Sequence, residues 1–203
     1  MNPGKRIFDL FWTLPGTVLL LVPGLAIAAA VVIDDGWPPL YAQERVGLHG
    51  RSFQLLKFRS MRRDSDRTGS CLTVGNDGRV TRVGRVIRRL KLDELPQLLN
   101  VLHGDMSLVG PRPEVPEYVQ KYSLEQRRVL ELVPGITDPA SIKYADESSV
   151  LALQADPHKY YLETVMPDKI LINIQYAAWA TIMSDFAVVI KTVFGRGRGS
   201  RRT

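Results

Sequence analysis

The 203-residue chain has one cysteine, Cys71, so a disulfide-stapled secreted scaffold is excluded and a reducing compartment is compatible with its thiol. Its three histidines, His49, His103 and His158, show no metal-ligand spacing and read as ordinary surface or core residues. There is no internal repeat and no low-complexity tract before the basic C-terminal tail. An apolar fraction of 45% excludes both a disordered tail and a polytopic transporter. Two absences are local. No acidic residue stands between Arg79 and Leu92, although Arg82, Arg85, Arg88 and Arg89 do, and Leu10 to Ile33 contains no ionisable side chain.

What is present points towards anions and a membrane. The formal net charge is +6, which suits nucleic acid, anionic lipid or a phosphorylated substrate. About 20 apolar residues suffice to cross a bilayer, and Leu10 to Ile33 reaches that length. The run is too long for a signal peptide, and Asp34-Asp35 follows where a small-residue cleavage site would lie. Two topologies fit. In one, a single spanning anchor keeps Lys5 and Arg6 inside and the rest of the chain outside. In the other, a re-entrant hairpin enters and leaves on one face. Pro15, Pro23 and Gly24 interrupt the run, and Arg45, Arg51, Lys57, Arg59, Arg62 and Arg63 make the far flank as basic as the near one.

Beyond a stiff Gly36-Trp37-Pro38-Pro39 linker, Tyr41 to Arg45 and Ser52 to Arg59 read as two strands, with Gly47 and Gly50 in the turn. Arg62 to Gly78 reads as a loop ending in an Asn76-Asp77-Gly78 turn. Thr81 to Leu90 is predicted as an amphipathic helix with its arginines on one face. Leu95 to Leu102 is predicted as a helix opening near Pro96. Pro116 to Leu132 reads as a charged surface helix stopped by Pro134-Gly135, and Lys159 to Ile190 as mostly helical. The last of these carries an apolar stripe, Trp179, Ile182, Phe186, Val189, Ile190 and Val193, suited to a core or a membrane surface. The glycine-arginine tail from Gly195 to Thr203 reads as a flexible tether to anionic headgroups, each charge worth on the order of 1 kcal/mol.

The densest stretch is Lys91 to Pro113, KLDELPQLLNVLHGDMSLVGPRP. Asp93 and Glu94 stand behind the arginine cluster and ahead of a Gly-Asp-Met-Ser and Gly-Pro-Arg-Pro loop, a combination suited to phosphate chemistry. For Asp93 two readings stay open: the N-cap of the next helix, or one of two acids gathered at the helix mouth around a metal or phosphate. Arg112, held between prolines, is suited to bidentate phosphate binding. Trp12, Trp37 and Trp179 lie in or beside candidate membrane elements, which argues for interface anchors rather than base stacking.

The chain resembles the small bacterial sugar transferases, the monotopic phosphoglycosyl transferases, along nearly its whole length. The matches are Lys5-Arg6-x-x-Asp9; Gln43-x-Arg45-x-Gly47 leading to Phe53; Lys57-Phe58-Arg59-Ser60-Met61; Gly84-Arg85-x-x-Arg88; and Leu92-Asp93-Glu94-Leu95-Pro96-Gln97. Gly104-Asp105-Met106-Ser107, Gly110-Pro111-Arg112-Pro113 and Pro134-Gly135-Ile136-Thr137 complete them. The resemblance implies a re-entrant helix broken at a Ser-Pro pair, here Val22-Pro23. It implies a magnesium-dependent ping-pong reaction in which Asp93 attacks the sugar-bearing phosphate of a UDP-sugar, UMP leaves, and a polyprenyl (undecaprenyl) phosphate takes the phosphosugar. Asp93 and Glu94 are then catalytic, with Asp93 also the metal ligand. Arg88, Arg112, Arg85, Lys57 and Arg59 bind substrate phosphates. The stretch from Asp138 to Tyr144 departs from the Gly-x-x-Gln-Val pattern of many relatives and bears on which sugar fits.

The expected fold is α+β, mainly helical with a short β-hairpin. Residues 1–36 form the re-entrant membrane hairpin, 37–194 a catalytic domain with membrane-surface helices on the cytoplasmic face of the bacterial inner membrane, and 195–203 the tail. Partners are a UDP-sugar, polyprenyl phosphate and membrane lipids, with no nucleic acid, since a nucleic-acid binder leaves Leu10 to Ile33 unexplained. A non-catalytic lipid-binding scaffold of the same fold is the alternative.

Overall fold

In the computed structural model, which describes residues 2–63, 65 and 77–195, the chain opens with α1 (Pro3–Leu19). The Asn2 side chain caps it by accepting the Gly4 amide at 3.0 Å. Helix α2 (Leu21–Asp35) follows after a break at Leu20 that bends the pair by 58°. Pro23 stands in the first turn of α2 and offers no N–H to the carbonyl four residues back, so the two helices do not merge into one rod. Among the described residues no single helix is long and apolar enough to cross a membrane; the bent pair meets the requirement only together.

Strands β1 (Leu40–Val46) and β2 (Ser52–Phe58) form the expected antiparallel hairpin, with Val46 opposite Ser52 and Leu40 opposite Phe58. Gly50 supplies the positive φ of +75° in the turn. Helix α3 (Arg82–Arg89) begins where the Thr81 hydroxyl accepts the Gly84 amide at 2.9 Å. Lys91 then takes a left-handed conformation (φ 55°), which reverses the chain into a 3₁₀ turn, Leu92–Glu94, and on to α4 (Gln97–His103). Asp93 is therefore not an N-cap. Position Pro96 fills that role for α4 with no side-chain bond, and the capping alternative falls.

Two expectations are corrected. The segment after α4, anticipated as a loop, contains β3 (Ser107–Val109), which pairs in parallel with β4 (Gly135–Thr137). Strands of three residues are too short to show alternation, and their partners lie far apart in sequence. The backbones nearly touch here: a Cβ on Gly110 would come within 2.3 Å of the Val133 carbonyl, and one on Gly135 within 2.1 Å of the Gly110 nitrogen. Nor is Pro116 to Leu132 one surface helix. It breaks into α5 (Pro116–Val119) and a 3₁₀ turn at Gln126–Glu131. Ser123 and Gln126 cap each other reciprocally there, Ser123 N–H to Gln126 Oε1 at 2.8 Å and Gln126 N–H to Ser123 Oγ at 3.2 Å, a Ser-x-x-Gln capping box. Tyr118, Val119, Tyr122 and Val129 are buried in the largest apolar cluster with Leu151, Tyr161 and Val165.

The C-terminal half continues through α6 (Pro139–Lys143), α7 (Glu147–Ala152) and α8 (Pro157–Tyr160). A π turn leads from α8 into α9 (Met166–Ala177), and α10 (Ile182–Phe194) follows. Thr181 and Ser184 form a capping box that separates the last two. Residues 64 and 66–76 of the expected Arg62–Gly78 loop, Cys71 and Asn76 included, lie outside the described residues, as do residues 196–203 of the expected tail.

Both ends of the α1–α2 pair are docked on the remainder of the chain by charge. At the near end Lys5 pairs with Asp185. Arg6 donates to the carbonyls of Val101 (2.5 Å) and Leu102 (2.8 Å) at the end of α4. Asp9, wholly buried, accepts from Ser107 Oγ and the Leu108 N–H. At the far end the Val83 N–H, in the first turn of α3, donates to Asp34 at 2.9 Å. Arg59 pairs with Asp35 at 3.3 Å and donates to the carbonyls of Asp35, Gly36 and Pro38. Between these ends, Phe11, Val18, Leu19, Val22 and Leu25 are exposed, as are Met183, Val193 and Phe194 of α10. Trp12 and Phe186 join the two surfaces with ring centroids 5.7 Å apart. An apolar surface of this extent marks an interaction site.

Candidate active site

The site forms where three short elements converge, each aimed by a local feature of the sequence. The left-handed Lys91 and the 3₁₀ turn place Asp93 and Glu94 at the mouth of α4. Gly110-Pro111-Arg112-Pro113 leaves β3 with two prolines limiting its φ angles. Lys57 comes from β2, which is locked to α4 by Asn100: its Oδ1 accepts the Leu56 N–H at 3.0 Å and its Nδ2 donates to the Gln54 carbonyl at 2.8 Å.

Glu94 and Arg112 form a bidentate pair, Nη1 to Oε2 at 3.2 Å and Nη2 to Oε1 at 2.5 Å. Burial works to raise the Glu94 carboxyl, but the charge and hydrogen bonds of Arg112, with help from Lys57 and Lys91, outweigh it and hold the group down to about 2. Glu94 in turn pushes the Arg112 guanidinium up against the effect of its burial. Asp93 differs. Its half-buried carboxyl makes no hydrogen bond among the described residues, and loss of hydration followed by the charge of Glu94 raises it above the ordinary carboxylate range. Lys57, Arg88 and Arg112 oppose that rise. Burial, then the neighbouring Arg112, brings the Lys57 ammonium down to about 7, with Glu94 pulling the other way.

An open cleft of about 1040 Å³ adjoins this cluster. Arg88, Arg89, Lys91, Glu94 and Arg112 line it, together with Tyr144, Glu147 and Lys169 from the C-terminal half. Asp93 adjoins the cleft through Glu94 rather than lining it. Of the residues singled out in the sequence, Asp93, Glu94, Lys57, Arg88 and Arg112 are thus brought together. Arg85 and Arg59 are not. Arg85 is exposed beside Arg62, Arg82 and the end of α2, and Arg59 is consumed by the carbonyls and carboxylate at the end of the helix pair.

Three residues that the sequence did not single out for the site flank Arg112. Glu114 pairs with Arg45 at 3.7 Å and accepts a hydrogen bond from the Tyr161 hydroxyl, while Arg45 also donates to the Pro113 carbonyl at 3.0 Å. Burial and the Glu114 charge keep Tyr161 protonated well above the usual phenol range. Position offered a signal for two of them, since Glu114 follows Pro113 and Arg45 sits in the Gln43-x-Arg45 match. Tyr161 offered none.

A half-buried carboxylate with no hydrogen bond among the described residues, set among Arg88, Arg112 and a titratable Lys57 beside an open cleft, is an arrangement suited to anionic, phosphate-bearing substrates. Comparison with known proteins narrows the class. The family model described as "Bacterial sugar transferase" matches residues 2–197, and the chain belongs to that family. It is 46% identical over 207 residues to an undecaprenyl-phosphate glucose phosphotransferase of Komagataeibacter xylinus, covering 95% of this chain and 36% of that protein. It is 34% identical over 200 residues to a UDP-glucose:undecaprenyl-phosphate glucose-1-phosphate transferase of Caulobacter vibrioides, covering 93% of this chain and 68% of that one. Identity is also 34% over 200 residues to a UDP-N-acetylgalactosamine-undecaprenyl-phosphate N-acetylgalactosaminephosphotransferase of Aeromonas hydrophila, covering 95% and 44%. The chain thus spans less than half of two of these relatives.

Proposed function

We propose that this protein transfers a sugar-1-phosphate from a UDP-sugar to a polyprenyl phosphate such as undecaprenyl phosphate, releasing UMP, by a ping-pong route through Asp93. The observation that carries the reading is the division of labour between neighbouring acids. Glu94 has both oxygens occupied by Arg112, whereas Asp93 has neither oxygen hydrogen-bonded among the described residues and feels the charges of Lys57, Arg88 and Arg112. The names of the relatives, each joining undecaprenyl phosphate to a sugar phosphate, support the substrate classes. Those relatives differ in sugar, so the class of donor is proposed and not its identity.

In the first step an Asp93 oxygen attacks the sugar-bearing phosphorus. A new P–O bond forms, the P–O bond to UMP breaks, and UMP departs with the electron pair. In the second step an oxygen of polyprenyl phosphate attacks the same phosphorus, and the bond to Asp93 breaks to restore the carboxylate. A raised pKa makes Asp93 the more basic and more nucleophilic of the two acids. Arg88, Lys57 and Arg112 offset the repulsion between a carboxylate and a diphosphate. Glu94 holds Arg112 in place for that task.

Magnesium is part of the proposal. Among the described residues no trio of His, Cys, Asp or Glu could cage a metal ion, and Glu94 is occupied. That leaves Asp93 as one carboxylate on which a hard cation would rest, its other ligands being phosphate oxygens and water, the habit of Mg²⁺ at nucleotide sites. The ion would supply charge neutralisation at the diphosphate.

The bent helix pair is read as a re-entrant membrane hairpin, residues 1–36, with residues 37–194 forming the catalytic domain on the cytoplasmic side. Support comes from both ends of the pair being docked on the same domain and from an exposed apolar surface shared with α10. The arms, 17 and 15 residues long, rise about 26 and 23 Å, each short of a hydrocarbon core of about 30 Å.

Incubation of the purified protein with candidate UDP-sugars and no acceptor tests the reading. UMP release in one equivalent and a mass gain of one phosphosugar, lost on adding polyprenyl phosphate, are expected. A donor that is consumed only when acceptor is present, with no adduct, would overturn the ping-pong route.

A further inference from the structure

The α1–α2 pair does more than anchor. Asp9, nearly two turns inside α1, is 0% exposed. Its Oδ1 accepts hydrogen bonds from Ser107 Oγ at 3.0 Å and from the Leu108 N–H at 3.1 Å, while Oδ2 and the Thr13 hydroxyl one turn further on have no partner among the described residues. A buried carboxylate with one idle oxygen is costly, so stability alone does not account for the choice.

Its partners do. Ser107 and Leu108 belong to β3, a strand of three residues paired with β4 and bonded at its ends from Ser107 N–H to the Pro134 carbonyl at 2.8 Å and from Gly110 N–H to the Thr137 carbonyl at 3.0 Å. Arg112 follows four residues after Leu108. Between them lie the tight Gly110–Gly135 crossing and Pro111, which leave little freedom to absorb a shift. A displacement of β3 is therefore passed on to the guanidinium that must meet Glu94 in two places.

We propose that Asp9 is a positioning residue: from the membrane-facing helix it sets β3, and through β3 it sets Arg112 against Glu94. Seating of the helix pair is thereby coupled to assembly of the active site. The proposal rests on the transfer reading above.

The full-length protein in detergent or nanodiscs, with a donor and polyprenyl phosphate on which the wild type turns over, provides the test. Asp9→Ala should lower kcat/KM on the order of 10²-fold, the scale of a misplacement of about 1 Å. Asp9→Asn, which keeps the Oδ1 acceptor, should restore it. In an Arg112→Lys background, where a cation remains but the bidentate fit is gone, Asp9→Ala should cost little more, because both changes act on one interaction. An equal penalty in both backgrounds, no penalty in either, or an Asn variant as impaired as the Ala variant would overturn the proposal. Should Asp9→Ala fail to fold, Ser107→Ala removes one of the two donors and faces the same criterion in the two backgrounds. Failure of the transfer reading itself would show separately, as a wild type that releases no UMP.

Discussion

Replacing Glu94 with Gln tests how the two neighbouring acids divide their work. In the folded protein the Arg112 guanidinium holds Glu94 down to about 2 from an ordinary 4.5, worth roughly 3 kcal/mol. The group is only 19% exposed, so solvent screening removes little of this. The depressed pKa fixes the sign. The contribution is fully present above pH 4.5 and is lost as pH falls from 4.5 towards 2, where the unfolded chain binds the proton first. Urea unfolding of the wild type should therefore weaken across that window, by up to about 3 kcal/mol from this group. Glu94→Gln should lose a comparable amount at neutral pH and lose this group's share of the pH dependence. The same substitution acts on Asp93, whose pKa Glu94 helps to raise while Lys57, Arg88 and Arg112 lower it. Removing the like charge, and freeing Arg112, must move Asp93 down. Measured as kcat/KM against pH, the acid limb of the variant should lie below that of the wild type even though the maximum falls. An acid limb that stays in place or moves up would refute the electrostatic account of Asp93.

Three further outcomes are expected. Asp93→Asn should unfold at nearly the wild-type temperature, since Asp93 makes no cap, yet show turnover lower by several orders of magnitude and no phosphosugar adduct by intact-protein mass spectrometry. Asn100→Ala strands the Gln54 carbonyl and the Leu56 N–H, and should cost about 2–5 kcal/mol in urea unfolding at any pH near neutral. Chelation with EDTA should abolish turnover, with Mg²⁺ or Mn²⁺ restoring it; undiminished activity in a chelated sample would remove magnesium from the reading.

Much of the site was legible because its chemistry is concentrated in one stretch. Asp93, Glu94 and Arg112 fall within 20 residues, and an acid pair between unpaired arginines and a proline-bounded arginine is a pattern that local composition reveals. The β-hairpin and α3 were legible for the same reason: glycine turns and a threonine cap act over a few residues. The short parallel sheet was not, because its two strands are brought together by burial and not by proximity. The role of Glu94 was also hidden. Its commitment to Arg112, 18 residues away, separates it from Asp93, its immediate neighbour, and only the fold could do so.

Arg59 and Asp9 show the limit most plainly. In the sequence Arg59 is one more cation two residues from Lys57, and Asp9 is the last charge before an apolar run. By itself the sequence determined that the chain carries a long apolar segment, a basic stretch with an acid pair and an α+β fold, since periodicity, caps and charge spacing are properties of neighbouring residues. The tertiary structure alone decided which cation faces Asp93 and which closes the end of α2. It also decided that the Asp9 carboxylate reaches β3, because hydrogen-bond geometry and burial are set by elements nearly a hundred residues apart.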